Sequence, residues 1–361
     1  MIYPTPSRKY FSAAVLDWYD VHARRLPWRS LPGEHPDPYH VWLSEIMLQQ
    51  TTVVTVGPYF RKFLDSWPSV TDMAAAPLDD ILTAWAGLGY YARARNLHKC
   101  AITVTRDYGG VFPGDVNRLL SLPGIGSYTA AAIAAIAFGQ PETVVDGNIE
   151  RIISRLYRID TPLPKAKKEI TELAASLTPQ QRAGDYAQAL MDIGAGICTS
   201  RKPNCAACPV SGNCAAFAAG DMERYPVKAP KKAKPTRRAT IFWLQRPDGH
   251  VLMRRRAETG LLGGMMEFPS TDWREETIDV KSAIEGFLQG QLPGMISDVS
   301  SWTLVRHTFT HFHLELQPVA AHLAKPDKLI LKDAVWVNPD EFDNYALPTL
   351  MNKVASAVLG T

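Results

Sequence analysis

No stretch of this 361-residue chain is long and apolar enough to cross a bilayer: the longest apolar run lies around Ala130 to Phe138, far short of the ~20 residues a membrane helix needs. The opening Met1-Ile2-Tyr3-Pro4-Thr5-Pro6-Ser7-Arg8-Lys9 lacks the apolar core of a signal peptide, so a cytoplasmic, reducing location is expected. Charge of one sign is also missing. With 39 Lys and Arg against 36 Asp and Glu, the net charge is +3, which excludes polyanion binding by bulk charge and leaves room only for a local basic patch. Internal repeats are absent. What remains is an ordinary globular balance, 46% hydrophobic and 21% charged, in a length that suits two domains each burying its own core.

Cysteine is scarce but unevenly placed. Cys198, Cys205, Cys208 and Cys214 follow the spacing C-x6-C-x2-C-x5-C, and Cys100 stands alone. Four thiolates packed so closely can enclose one inorganic centre, because deprotonated sulfur is the favoured ligand of zinc and of iron–sulfur clusters. A zinc ribbon normally offers two close C-x2-C pairs; here only Cys205 and Cys208 are so paired, and no histidine lies between Cys198 and Cys214. Two disulfides are the other alternative, and they would leave Cys100 over. The spacing and its setting, Cys198-Thr199-Ser200-Arg201-Lys202-Pro203-Asn204-Cys205, resemble the [4Fe–4S] loop of the endonuclease III superfamily of DNA glycosylases. That resemblance implies a [4Fe–4S] cluster on the four cysteines, with Arg201 and Lys202 turned to DNA phosphates and the cluster positioning DNA without taking part in chemistry.

Along the chain, Phe11, Ala14, Val15, Trp18 and Tyr19 recur at helical spacing between Ser7 and Arg25, and similar stretches continue to Cys198. Residues 1–222 are expected to form a mostly α domain. Residues 223–238 include Pro226-Val227-Lys228-Ala229-Pro230-Lys231-Lys232-Ala233-Lys234-Pro235, whose prolines and like charges predict a linker. Residues 239–361 are expected to be an α+β domain, since Thr240 to Leu244 and Val251 to Met253 flank Pro247-Asp248-Gly249 as two strands around a turn.

Two features in the first part carry chemistry. Leu122-Pro123-Gly124-Ile125-Gly126-Ser127-Tyr128 places a tight turn between apolar helical stretches, where Gly124 and Gly126 let backbone approach a phosphate and the next helix aims N–H groups at it. This matches the helix-hairpin-helix of the same superfamily. Glu45 lies among Trp42, Ile46 and Met47 in a helix opened by Asp37-Pro38, and Asp146 follows the apolar Val144-Val145. Cleaving a purine's glycosidic bond takes an acid of raised pKa for the leaving base and an anion for the sugar cation. Glu45 suits the first role and Asp146 the second.

The segments Leu43 to Thr51, Gly87 to Arg95, Leu122 to Gly126 and Val145-Asp146-Gly147-Asn148 closely resemble the MutY-type adenine DNA glycosylases. The resemblance implies removal of adenine mispaired with 8-oxoguanine, and with guanine, from double-stranded DNA in base excision repair by a monomer. It assigns Glu45 and Asp146 as catalytic, supported by Tyr128 and Asn148; Gln50 and Tyr90 as residues inserted into DNA; and Arg24, Trp28, Arg29 and Gln188 as the adenine pocket. Relatives that also cut the strand use a hairpin lysine, whereas this chain has Tyr128 there and no lysine between Lys99 and Lys165; a monofunctional enzyme is expected.

The run Gly260 to Pro269 and its neighbours resemble a Nudix-like fold, but Trp273 to Asp279 lacks the glutamate-rich helix that holds magnesium, so recognition is expected and not hydrolysis. By the same family resemblance, Phe309-Thr310-His311 stands where a Phe-Ser-His loop checks for 8-oxoguanine, with Phe309 as a wedge. The rival readings are a pyrimidine glycosylase of the superfamily and a non-catalytic DNA-binding scaffold.

Overall fold

The computed structural model describes residues 7–230, 233–276, 279–284, 286–287, 296–323 and 333–360. They divide into two compact units, Met1–Ala75 with Asn96–Lys231, and Ala76–Arg95 with Lys232–Thr361. No helix among the described residues is long and apolar enough to cross a membrane.

The first unit is helical. Helix α1 (Arg8–His22) buries Phe11, Val15 and Tyr19, the four-residue spacing that lines up one face. Helix α2 (Pro38–Leu48) starts where expected, with the Asp37 side chain accepting from the Tyr39 N–H and proline in the first turn. Helices α3 (Val53–Ser66) and α4 (Val70–Ala75) follow; α5 (Leu78–Ala84) belongs to the second unit, and α6 (Ala92–Tyr108) continues into the first. The hairpin is α7 (Val116–Leu120) and α8 (Ser127–Phe138), and after it come α9 (Gly147–Tyr157), α10 (Lys167–Leu177), α11 (Ala183–Gly196) and α12 (Ala215–Ala219). Phe11, Val15, Ile153, Ile170, Leu190 and Ile193 join α1, α9, α10 and α11 in one core. On α11, Gly194 permits a close crossing: a Cβ there would lie 2.4 Å from that of Asn148 on α9.

Among the described residues, the second unit is built on a seven-stranded mixed sheet. Strand β1 (Thr236–Gln245) pairs antiparallel with β2 (Val251–Arg255), which is flanked by β3 (Met266–Glu267). Beyond β4 (Ile296–Ser301) and β5 (Val305–Thr308), the long β6 (His313–Leu323) runs parallel to β1 over Thr236↔His313 to Gln245↔His322 and antiparallel to β4 and β5; β7 (Ala334–Val337) pairs with β2. Alternation along β1 sends Ile241 and Trp243 into one core and Phe242 and Leu244 into another. Helix α14 (Thr349–Leu359) covers the first face and α13 (Val280–Ile284) contributes to the second. Residues 76–95 pack with this unit: Asp79 pairs with Arg255 at 2.7 Å, and the Arg95 guanidinium donates to the Gly263 carbonyl.

Candidate active site

Glu45 sits in the last turns of α2 and is 7% exposed. Water cannot solvate its anion, and its carboxyl is pushed up to about 7, chiefly by burial. The Tyr128 hydroxyl opposes that shift, Asp146 adds to it and Arg29 opposes it. Tyr128 enters from the first turn of α8 and donates its hydroxyl to Glu45 Oε2 at 2.8 Å. Burial, followed by the nearby carboxylates, raises the Tyr128 pKa well above the phenol range, so it remains a donor.

Asp146 caps α9. Its Oδ1 accepts the backbone N–H of Asn148 at 3.0 Å and of Ile149 at 2.8 Å, and its Oδ2 accepts Asn148 Nδ2 at 2.8 Å. The helix end favours negative charge here, and three donors set the direction of the carboxylate. Asn148 is held in turn by Arg151, whose Nη2 donates to Asn148 Oδ1 at 2.9 Å and to the Gly194 carbonyl at 2.7 Å, while its Nε donates to the Cys198 carbonyl at 2.7 Å.

Glu45, Asp146, Tyr128 and Asn148 line one cleft of about 520 Å³ with Arg24, Trp28, Arg29, Gln188 and Gln50, a size in the ~300–1,000 Å³ range of small-molecule sites. The candidate catalytic and pocket residues are thus brought together. Gln50 is exposed with φ of 58°, a strained conformation for a non-glycine residue. Lys167, just beyond the lysine-free span that ends at Lys165, also lines the cleft with its Nζ 3.5 Å from Glu150. Asp192 was missed; it lies one helical turn beyond Gln188, which was the available signal.

The hairpin turn forms as expected. Gly124 has φ of 77°, and a Cβ there would approach that of Asn96 to 2.6 Å. Gly126 caps α8 without a side-chain hydrogen bond, leaving the first N–H groups of the helix to an anion. Arg201 and Lys202 are both exposed.

All five cysteines are free. Cys198, Cys205, Cys208 and Cys214 line a separate cavity of about 30 Å³ with Arg155. Among the described residues no group of three or more His, Cys, Asp or Glu forms a ready metal cage. The donor chemistry nonetheless fits a thiolate-bound centre: Arg155, 1% exposed, bonds to the carbonyls of Thr199, Ser200, Met222 and Tyr225 and to Cys198 Sγ at 3.2 Å. Among the described residues it has no carboxylate partner, and a buried cation of that kind complements anionic sulfur. Burial pushes Cys208 up to about 11 and raises Cys205 and Cys214, so a bound metal would displace protons.

The remaining candidates lie in the second unit. Tyr90, with φ of 48°, shares a hydrogen bond of 2.8 Å between its Oη and Thr310 Oγ1. The Phe309 ring stacks on Trp273 and packs against Phe312 and His307, and Lys234 Nζ donates to its carbonyl at 3.0 Å. Phe309 is half-buried among these rings, and the loop's exposed polar groups are Thr310 and His311.

The pattern of the HhH-GPD superfamily of base excision DNA repair proteins matches residues 43–180, and that of the NUDIX domain matches residues 240–357. The Homo sapiens adenine DNA glycosylase is 34% identical over 95% of this chain and 73% of its own length. That of Buchnera aphidicola subsp. Acyrthosiphon pisum is 33% identical over 95% of this chain and 96% of its own. A thermostable thymine-DNA glycosylase structure aligns with a TM-score of 0.52 at 33% identity, over 59% of this chain and 97% of that one. The non-covalent endonuclease III–DNA complex aligns at 0.51 and 22% identity over 61% and 99%, a likeness of fold. With relatives of one name matched along nearly the whole sequence, this chain belongs to the adenine DNA glycosylase family.

Proposed function

We propose that this chain hydrolyses the glycosidic bond of adenine mispaired with 8-oxoguanine, and with guanine, in double-stranded DNA, acting as a monomer and leaving an abasic site. The observation that supports it best is the pairing of unlike carboxylates in one cleft: Glu45, buried and raised to about 7, and Asp146, oriented by three N–H donors. With its pKa raised to about 7, Glu45 keeps a proton in a large fraction of molecules at neutral pH and gives it to the leaving adenine, while Asp146 faces the sugar cation as the bond breaks and stabilises or captures it. Glu45, then ionised, takes a proton from the water that attacks C1′, which restores the acid.

An adenine inside a duplex must be extruded to reach this cleft. Gln50 at the cleft rim is suited to occupy the vacated place, and Tyr90 beside Thr310 to stand next to the lesion base. Cys198, Cys205, Cys208 and Cys214 would hold a [4Fe–4S] cluster that braces the loop bearing Arg201 and Lys202 against phosphate. The hairpin position held by Tyr128 offers no amine, so strand scission is left to later heat or alkali.

The test is single-turnover assay of duplexes differing only at the mispair, with the released base identified by mass. Free adenine from A:8-oxoguanine and A:G, and none from A:T, is expected. Release of a pyrimidine, or equal release from A:T, would overturn the reading.

A further inference from the structure

Asp192 is 3% exposed on α11 and does not itself line the cleft, yet it lies beneath two guanidinium groups that do. Its Oδ1 accepts from Arg24 Nε at 2.6 Å and Arg29 Nη1 at 2.8 Å; its Oδ2 accepts from Arg29 Nη1 at 2.7 Å and from the backbone N–H of Arg24 at 3.1 Å. Residues 23–37, which carry both arginines, have no regular secondary structure, so one carboxylate ties an irregular segment to a helix more than 160 positions away. The Arg29 side chain is 7% exposed and that of Asp192 1%, which keeps water from screening their charges.

We infer that Asp192 is a positioning residue for base excision: it clamps Arg24 and Arg29 at the cleft wall and cancels one of their two positive charges, so that Glu45 keeps its proton beside the substrate. The groups facing Glu45 are Tyr128 from α8, Asp146 from the start of α9 and Arg29 from the 23–37 segment, with Arg24, Glu150 and Lys167 on the same cleft. Of these cations Arg29 is the one that lowers the Glu45 pKa, and Asp192 neutralises it in a pair whose side chains are 7% and 1% exposed. Removing the anion leaves the Arg29 charge uncompensated, favours the Glu45 carboxylate and lowers the pH at which the proton is lost. Removing Arg29 does the reverse.

The inference rests on Glu45 as the acid, and the experiment separates the two. Single-turnover adenine release is followed from about pH 5 to pH 9, a span that brackets the acid's titration, for wild type, Asp192→Asn, Arg29→Met and the double variant Arg29→Met with Asp192→Asn. Glu45→Gln is the control. Wild-type activity is expected to fall as pH rises through about 7. In Asp192→Asn the fall moves down by about one unit, making release about tenfold slower above the inflection. The double variant, with its charge balance restored, returns toward the wild-type inflection, and Arg29→Met moves it up.

An Asp192→Asn inflection that stays in place or rises, with the rate lowered equally at every pH, would reduce Asp192 to a fold-supporting residue and overturn the inference. If that variant does not fold, Arg29→Met decides: an unmoved inflection rejects the inference. Excision retained by Glu45→Gln would reject the reading of Glu45 instead.

Discussion

Two carboxylates share one cleft, and their partners give them opposite work. Glu45 has apolar neighbours and one phenol; Asp146 has three N–H donors and a helix end. Glu45→Gln keeps the size but cannot donate a proton to the base, so single-turnover release should fall about 10²- to 10⁴-fold while a gel-shift assay finds mismatch binding nearly intact. Asp146→Asn should lose about 10²- to 10³-fold in the same assay, as the sugar cation loses its counter-charge. The Tyr128 hydroxyl holds the Glu45 pKa down. In Tyr128→Phe the acid should therefore stay protonated to higher pH, and the alkaline limb of the rate profile should move up by about one unit; a downward shift would contradict that hydrogen bond's role. Glu45 was legible because its helix is apolar around it in sequence, and it is buried in the structure. Asp192 was harder to find: its place one turn beyond Gln188 was its only mark in the sequence, and its partners Arg24 and Arg29 lie more than 160 positions away.

Element starts and faces were readable wherever the cause is local. The four-residue spacing of Phe11, Val15 and Tyr19 and the Asp37-Pro38 start need no distant partner to be recognised. The hairpin turn is local too, and it can be tested. Gly124→Ala would impose a side chain on a residue at φ of 77° and drive its Cβ toward Asn96. The left-handed conformation alone costs ~1–2 kcal/mol. The variant should melt several degrees lower and bind duplex more weakly, with its salt dependence reduced as a phosphate contact is lost; unchanged affinity in a folded variant would detach the turn from DNA. Positive φ at Gln50 and Tyr90 could not be read, because nothing in those residue types announces it. The close crossing at Gly194 was hidden for a similar reason, since it depends on where α9 meets α11.

At the scale of the whole chain, the shift from helical spacing to short strands, with the proline-rich run between them, announced two kinds of architecture. The parallel register of β1 against β6 did not show, for it joins residues some 77 positions apart whose pairing leaves no mark on either strand alone. Nor did the packing of residues 76–95 with the sheet, which rests on single contacts such as Asp79 with Arg255. That packing makes removal of the chain beyond Arg238 a poor test of the second unit, since it would strip partners from α5 as well. A point substitution is cleaner. Thr310→Ala deletes the hydroxyl shared with Tyr90 while leaving Phe309 in its stack with Trp273. If this loop reads the lesion base, losing a polar contact worth ~1–3 kcal/mol of discrimination should cut the preference for A:8-oxoguanine over A:G about tenfold, with adenine release from A:G nearly unchanged. Parallel single-turnover rates and affinities on the two duplexes would measure it. An undiminished preference in a variant that melts like wild type would mean that the Thr310 hydroxyl only steadies Tyr90, and that discrimination is carried elsewhere.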